Sequence, residues 1–533
     1  MINYSSKIID RWSKNKYSMF IHWGLYSIPA GIWNGKKISG YSEQIKGHAK
    51  IETEEYRKLA LQFNPQKWDP YEIAKLAKEN GLRSIVICSK HHDGFCLFHS
   101  KYTKFNVVDS TPYKKDILKE LSIACCEYGL NFGIYFSLID WDYEGANPFT
   151  SVRNSDPIPK LHHQYNLNQI EELLTNYGEV SEFWFDMGSP TAAQSREMRD
   201  LIKKLQPNTL ISGRIWNDQG DFAVMSDNYT PDLKLGVPWQ TPASIFKETW
   251  GYRSWQERGD LNSKICEKIE DLVKIVSFGG NYLLNIGPKE DGSIVKFEKD
   301  LIEGVGGWIK ENRESIYETL PTNMVKQDWG YTTKKGNKLF IHIRNFPNNN
   351  LLEIKNLNLE ITKAYPLSDH NLSIRTSVKK DGLEIDLSNI KKDKFLTTIA
   401  LEFDGNIVYK NPKTIYPDKD GITILNPDNC ENYYSYSGHD YYSNRAVVVK
   451  LKWYLSKSRL KQSGITVNCK DKTEPLNLRV NEERYPIFMN DRGIENLTID
   501  LYNDRSNEIE IEYLDRTNPH KELNLSSFEI VIG

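Results

Sequence analysis

A single unit recurs through the N-terminal part of the chain: apolar residues at helical spacing, a Gly or Pro stop, then a short apolar run. YEIAKLAKENGL ends at Gly81 and precedes SIVICSK; DILKELSIACCEYG ends at Gly129 and precedes NFGIYFSL. LNQIEELLTNYG, stopped at Gly178, leads into SEFWFD. SREMRDLIKKLQP, stopped at Pro207, leads into TLISGRI, and ICEKIEDLVKIVSFGG into NYLLNIG. Strands this short and apolar suit a parallel sheet covered on its faces by crossover helices. The alternation predicts an irregular (β/α) TIM-like barrel over residues 1–322. A doubly wound open sheet is the alternative; no GxGxxG follows the first strand, which counts against a dinucleotide fold.

Beyond residue 322 the pattern changes. KLFIHIRNF, LEIKNL, GLEIDLS and TTIALEF alternate apolar and polar residues between Asn, Asp and Gly turns, which predicts a β-sandwich over 323–408. RAVVVKLKWYL, GITVNC, NLTIDLYN, NEIEIEYL and FEIVIG predict a second β-rich domain over 409–533. Its Tyr-rich stretch YYSYSGHDYYSN could serve as a glycan-stacking surface; a domain that merely buttresses the barrel is the plainer reading.

With 533 residues the chain is long enough for several domains. A formal net charge of −2 provides no field that would gather nucleic acid or an anionic membrane, and neither is expected as a partner. The seven cysteines are odd in number and form no CxxC pair, which points to free thiols in a reducing compartment and no zinc site. The N-terminus has no apolar signal-like core and no run approaches a membrane span, so a cytoplasmic location is expected.

In barrel enzymes the chemistry sits where the strands end. After SIVICS comes KHHDGF, with His91, His92 and Asp93; after NFGIYFS comes Asp140-Trp141. After SEFWF comes Asp186, and after LISG come Arg214, Trp216 and Asp218. Further loops carry Asp227, Asp232, Trp239, Glu248 and Trp250, and FIHWG places His22 after an early apolar run. Each has a plain structural reading. Asp186 could cap the next helix. His91 and His92, on an extended chain, would point opposite ways, and one could be a packed core histidine. Asp93 and Glu43 could be ordinary ion-pair partners, and Trp23, Trp141, Trp184 and Trp239 core residues. Together, however, carboxylates with Trp and His suit glycoside hydrolysis, where two carboxyl groups flank the scissile bond and aromatic faces hold the sugar.

FIHWG, KHHDGF, WFDMG and SFGGNYLLNIGPKEDG, spread over roughly residues 10–320, resemble the signatures of glycoside hydrolase family 29, the α-L-fucosidases. The resemblance implies an irregular barrel followed by a β-sandwich, and retaining cleavage of terminal α-L-fucosyl residues through a covalent fucosyl-enzyme, with no metal or other cofactor. It implies that Asp186 is the nucleophile, and that His22, His91, His92, Tyr135, Trp184 and Arg214 line the fucose pocket. Glu43, in YSEQI, falls where the family often has Ser-Glu-Trp-Tyr, so it is carried over as substrate-binding with the aromatic step altered.

The proton donor varies in this family. A Glu after Thr-Pro is one pattern, and here YTPD offers Asp232; another puts Glu after Trp, where this chain has Gln240. Asp232 ranks first, Glu248 second and Asp227 third. Whichever serves must stay protonated while Asp186 is ionised. The partner implied is a fucosylated oligosaccharide. Two other readings stay open: the same fold acting on α-L-galactosides, since an apolar wall rejects an added hydroxyl poorly, and a degenerate fucose-binding protein without catalysis.

Overall fold

The computed structural model describes residues 7–147, 155–217, 219–230 and 238–322, and beyond them 324, 327–355, 357–380, 382–409, 414–430, 432–437, 447–456, 462–469, 476–481, 483–487, 492–503, 506–515 and 528–533. Eight parallel strands form the first unit: β1 (Tyr17–Ile21), β2 (Ser84–Lys90), β3 (Asn131–Ser137), β4 (Glu182–Asp186), β5 (Leu210–Ile211), β6 (Ala223–Val224), β7 (Trp239–Ser244) and β8 (Asn281–Ile286). They pair in the order β5-β4-β3-β2-β1-β8-β7-β6. A single parallel bridge, Ser212 to Phe222, joins the two outer strands and closes the curl. This is the expected TIM-like barrel, and it is irregular in a definite place. α-Helices follow β1, β2, β3, β4, β7 and β8, but among the described residues no α-helix lies between β5 and β6, where only a short 3-10 turn stands, or between β6 and β7.

The helices form where local chemistry starts them. Asp69 accepts from the backbone N–H groups of Tyr71 and Glu72 ahead of α1 (Pro70–Glu79), and Asp116 from Lys119 at α2 (Ile117–Glu127). At α4 (Ala192–Leu205), which follows α3 (Lys160–Asn176), Thr191 and Gln194 make a reciprocal capping box. Such caps satisfy N–H groups that a helix start leaves orphaned. The cap before α4 is therefore Thr191, and Asp186 is not spent on that task. Two strands, β6 and β7, went unread in the sequence: β6 is two residues long, and β7, WQTPAS, contains a proline.

The barrel floor is a polar chain inside apolar walls. Glu182, Trp184 and Asp186 alternate along β4 and so share its inner face. Trp12, from the helix preceding β1, donates to Glu182 Oε2 at 3.2 Å, and Gln240 Nε2 donates to the same oxygen at 3.3 Å. Gln240 Oε1 accepts from Trp184 Nε1 at 3.0 Å. Burial pushes the Glu182 carboxyl up to about 7, against the pull of those donors. Gln240 is thus a fully enclosed structural residue on β7.

The remaining sheets among the described residues pair antiparallel. A five-stranded sheet, including Lys338–Ile343 and Thr397–Tyr409, faces a three-stranded sheet of Leu351–Lys355, Gly382–Asp386 and Arg375–Lys379. Leu339, Ile341, Ile354 and Ile385 fill the space between them. A four-stranded and a five-stranded sheet make a second sandwich around Trp453, Val467 and Ile511. The Trp308 indole donates to the Leu396 carbonyl at 2.8 Å, tying the last barrel helix to the first sandwich. No helix among the described residues is long and apolar enough to cross a membrane.

The seam at β5–β6 is closed by little backbone pairing and leaves no room for side chains. A Cβ at Gly220 would lie 2.5 Å from Gly213 Cα and 2.8 Å from its nitrogen, with backbone that cannot rotate away. Gly220→Ala is expected to cost about 1–3 kcal/mol, read as a lowered midpoint in denaturant unfolding; an unchanged midpoint would show that the seam is not close-packed.

Candidate active site

β4 delivers Asp186 to the top of the barrel level with Ser137 of β3, its register partner. Met187 then adopts φ 58° and Gly188 φ 79°, turning the chain sharply away from the strand. A left-handed methionine next to a buried carboxylate is backbone strain of the kind found at functional sites. The Asp186 carboxylate is 7% exposed and fully engaged. Oδ1 accepts from Arg214 Nη1 at 2.7 Å, and Oδ2 from the Tyr135 hydroxyl at 2.8 Å. Burial alone would raise its pKa; the charge of Arg214 and the hydrogen bonds from Arg214 and Tyr135 outweigh it and hold the carboxyl below its ordinary range.

Arg214 sits in a 3-10 turn just past β5. Its second amino group, Nη2, meets Asp227 Oδ1 at 2.6 Å, and its guanidinium lies 4.9 Å from the Trp184 ring centre. One cation therefore serves two carboxylates. Around them Phe20, His22, Tyr41, Glu43, Gln44, His91, His92, Tyr135, Trp184, Met187 and Trp250 complete the wall of a narrow cavity.

The structure corrects the expectation for KHHDGF. β2 stops at Lys90, so His91 and His92 lie in a turn and not on an extended strand. Their rings are 4.0 Å apart and both line the cavity. Desolvation by burial lowers His22 and His92 to about 4 and His91 well below its usual value, so all three are neutral near pH 7. Among the described residues Asp93 has no ion-pair partner: it accepts from the Tyr56 hydroxyl at 2.6 Å and the Phe95 N–H at 3.2 Å. Lys90, fully enclosed, pairs with Asp140 at 3.2 Å beneath this turn.

Glu43 is also enclosed, and among the described residues it makes no salt bridge. Its Oε2 accepts from the backbone N–H groups of Trp250, at 3.1 Å, and Gly251, at 2.9 Å. Burial nevertheless drives its pKa up to about 7, the N–H donors pulling the other way. Trp23 and Trp239 are core residues, whereas Trp184 and Trp250 face the cavity. Glu248 stands outside the cavity wall: it is exposed, four residues past β7, with Oε2 3.5 Å from Gln256 Nε2. Asp232 and Asp218 lie outside the described residues, as does most of the Tyr-rich stretch, from residue 438 onward. Tyr41, Gln44 and Met187 were not singled out in the sequence. Tyr41 and Gln44 flank Glu43, and Met187 follows Asp186, so chain adjacency was the available signal. Among the described residues no group of three or more His, Cys, Asp or Glu side chains is placed to hold a metal ion.

A parallel barrel with a buried, arginine-held carboxylate at a strand end, in a cavity walled by histidine and aromatic rings, defines a glycoside-hydrolase type of site. The family profile for alpha-L-fucosidase matches residues 3–314, and the chain belongs to that family. Human plasma alpha-L-fucosidase is 32% identical over 356 residues, which span 61% of this chain and 73% of that protein. An alpha-L-fucosidase of Bacteroides thetaiotaomicron, solved as a trapped covalent intermediate with 2-fluoro-fucosyl fluoride, superposes with a TM-score of 0.68 at 29% identity. That match covers 76% of this chain and 100% of that one. The alpha-L-fucosidase of Vibrio sp. strain EJY3 matches across 99% of this chain and 98% of its own, with a TM-score of 0.70 at 25% identity.

Arg214 should therefore govern the charge of Asp186. In Arg214→Leu the carboxyl keeps its burial and loses its cation, so its pKa should rise, as read by ¹³C NMR titration of the Asp186 carboxyl. The sign for stability follows. In the wild type the depressed pKa stabilises the fold above the unfolded carboxyl range, and this is lost as pH falls through the folded pKa. In the variant the deficit should be largest at neutral pH, about 3–5 kcal/mol, and should shrink in acid. A deficit independent of pH would argue against this coupling.

Proposed function

We propose that this protein is a retaining exo-α-L-fucosidase that releases terminal α-L-fucose from oligosaccharides or glycoconjugates, with Asp186 as the nucleophile. The observation that carries the reading is the state of Asp186: ionised, gripped by Arg214 and Tyr135, and lining a pocket shared with three histidines and two tryptophans. Attack by an Asp186 oxygen on the anomeric carbon forms the fucosyl ester as the glycosidic oxygen leaves with a proton from the acid. Water, deprotonated by the same residue, then hydrolyses the ester. His22, His91, His92 and Glu43 hold the hydroxyls, and Trp184, Tyr135 and Trp250 present ring faces to the sugar's apolar side. The trapped covalent intermediate of the Bacteroides enzyme supports the two-step route.

Asp232 is assigned as the acid/base. Its place after Thr-Pro in the loop beyond the arginine turn supports this, as does the engagement of Asp227 with Arg214 and the position of Glu248 outside the cavity. A second reading rests on one observation: Glu43 lines the cavity and its carboxyl is held at about 7, where an acid can both give and take a proton.

With an aryl α-L-fucoside, Asp186→Ala should lose more than about a thousandfold in kcat, and azide should restore turnover as β-L-fucosyl azide. For the acid/base, the rescued product keeps the α configuration. Asp232→Ala showing that rescue supports the first assignment; Glu43→Ala showing it, with Asp232→Ala near wild type, moves the role to Glu43. Wild-type enzyme that binds L-fucose and cleaves neither fucoside nor L-galactoside would refute the catalytic reading.

A further inference from the structure

Three buried histidines surround Asp186, and two of them are held at Nδ1 by groups whose own hydrogen bonds leave no choice of direction. The Ser137 hydroxyl has two neighbours at 2.7 Å, His92 Nδ1 and the Ile139 carbonyl oxygen. A carbonyl only accepts, so the single hydroxyl proton goes to Ile139, and His92 must donate Nδ1–H to Ser137. Asn285 repeats the logic on the other side. Its amide Nδ2 donates to the Trp250 carbonyl at 2.7 Å, which orients the side chain and leaves Oδ1 facing His22 Nδ1, also at 2.7 Å. His22 therefore donates from Nδ1.

We propose that Ser137 and Asn285 are positioning residues that lock His92 and His22 as Nδ1–H tautomers, so that both rings offer a bare Nε2 and accept hydrogen bonds from two hydroxyls of the bound sugar. The sugar's identity rests on the function proposed above; the tautomers do not. Burial keeps both rings neutral, since desolvation lowers each to about 4. His92 Nε2 and Asp186 Oδ2 stand 3.8 Å apart, two acceptors facing one another. A hydroxyl donated to either relieves their repulsion, which ties ligand entry to the nucleophile's environment. Selection follows from this polarity. Arg214 and Tyr135 are already committed to Asp186, so the histidine side of the cavity recognises hydroxyls as donors. It should reject a group that can only accept.

Long-range ¹H–¹⁵N correlation on ¹⁵N-histidine-labelled protein reads the tautomers without any ligand. Wild type is expected to show pyridine-like Nε2 and pyrrole-like Nδ1 for His22 and His92. Ser137→Ala should turn His92 toward the Nε2–H form, with Asp186 as the new acceptor, and Ser137→Thr, which keeps the hydroxyl, should restore the wild-type pattern. Asn285→Asp, which keeps an acceptor for Nδ1–H, should leave His22 unchanged. Pyrrole-like Nε2 in the wild type would overturn the proposal. Calorimetry with monodeoxy and monodeoxyfluoro L-fucose reads the consequence. At two ring positions the fluoro analogue should bind as weakly as the deoxy sugar, about tenfold below L-fucose or worse, because fluorine cannot donate. Fluoro analogues binding like L-fucose at every position would overturn the acceptor role. No binding of L-fucose itself would instead refute the function proposed above, with the tautomer signals still judged on their own.

Discussion

The guanidinium of Arg214 holds two carboxylates, Asp186 at 2.7 Å and Asp227 at 2.6 Å, and the top of the barrel is arranged around that bridge. A buried carboxylate is costly unless paired and hydrogen-bonded. Asp186 can be almost fully enclosed at the end of β4 because Arg214 neutralises it and Tyr135 donates to its other oxygen. The bridge also has a mechanical role. Arg214 follows β5 and Asp227 follows β6, the two strands joined by a single backbone bridge. Where helical crossovers are missing, an ion pair spans the seam.

The remaining polar groups form two layers. At the floor, Trp12, Glu182, Gln240 and Trp184 make a closed hydrogen-bond chain that sets the Trp184 indole beneath Arg214. At the rim, Glu43 fastens the Trp250–Gly251 backbone, and Asn285 fastens both Trp250 and His22. Lys90 and Asp140 anchor the turn that carries His91 and His92. Trp184 and His22 are thus held at ring nitrogens by partners from other strands, and Trp250 through its backbone. Such support keeps a binding constellation in one geometry.

Gln240 shows how a substitution reads differently in the fold. In the sequence it was a carboxyl replaced by an amide at a place where relatives can carry an acid. In the barrel it lies on β7 at the floor, and its amide both accepts from Trp184 and donates to Glu182, which a carboxylate could not do. The departure concerns the architecture of the floor.

Much of this was legible along the chain. Helix spacing, stops and short apolar strands are local patterns, so they announced the barrel, and the position of an acid after an apolar strand announced Asp186. Alternation announced β-strands throughout the region beyond residue 322. The sequence could not say that Asp93 holds Tyr56, that Glu43 holds backbone N–H groups, or that both adjacent histidines face one cavity, because these depend on where strands end and on partners far away. His22 meets Asn285 across 263 residues, and Glu43 meets Trp250 across 207. Residue type and local period determine which elements form and which side chains are able to react. Only the closing of the barrel decides their charge and the direction of their hydrogen bonds, because burial and donor–acceptor pairing are made between strands and not along them.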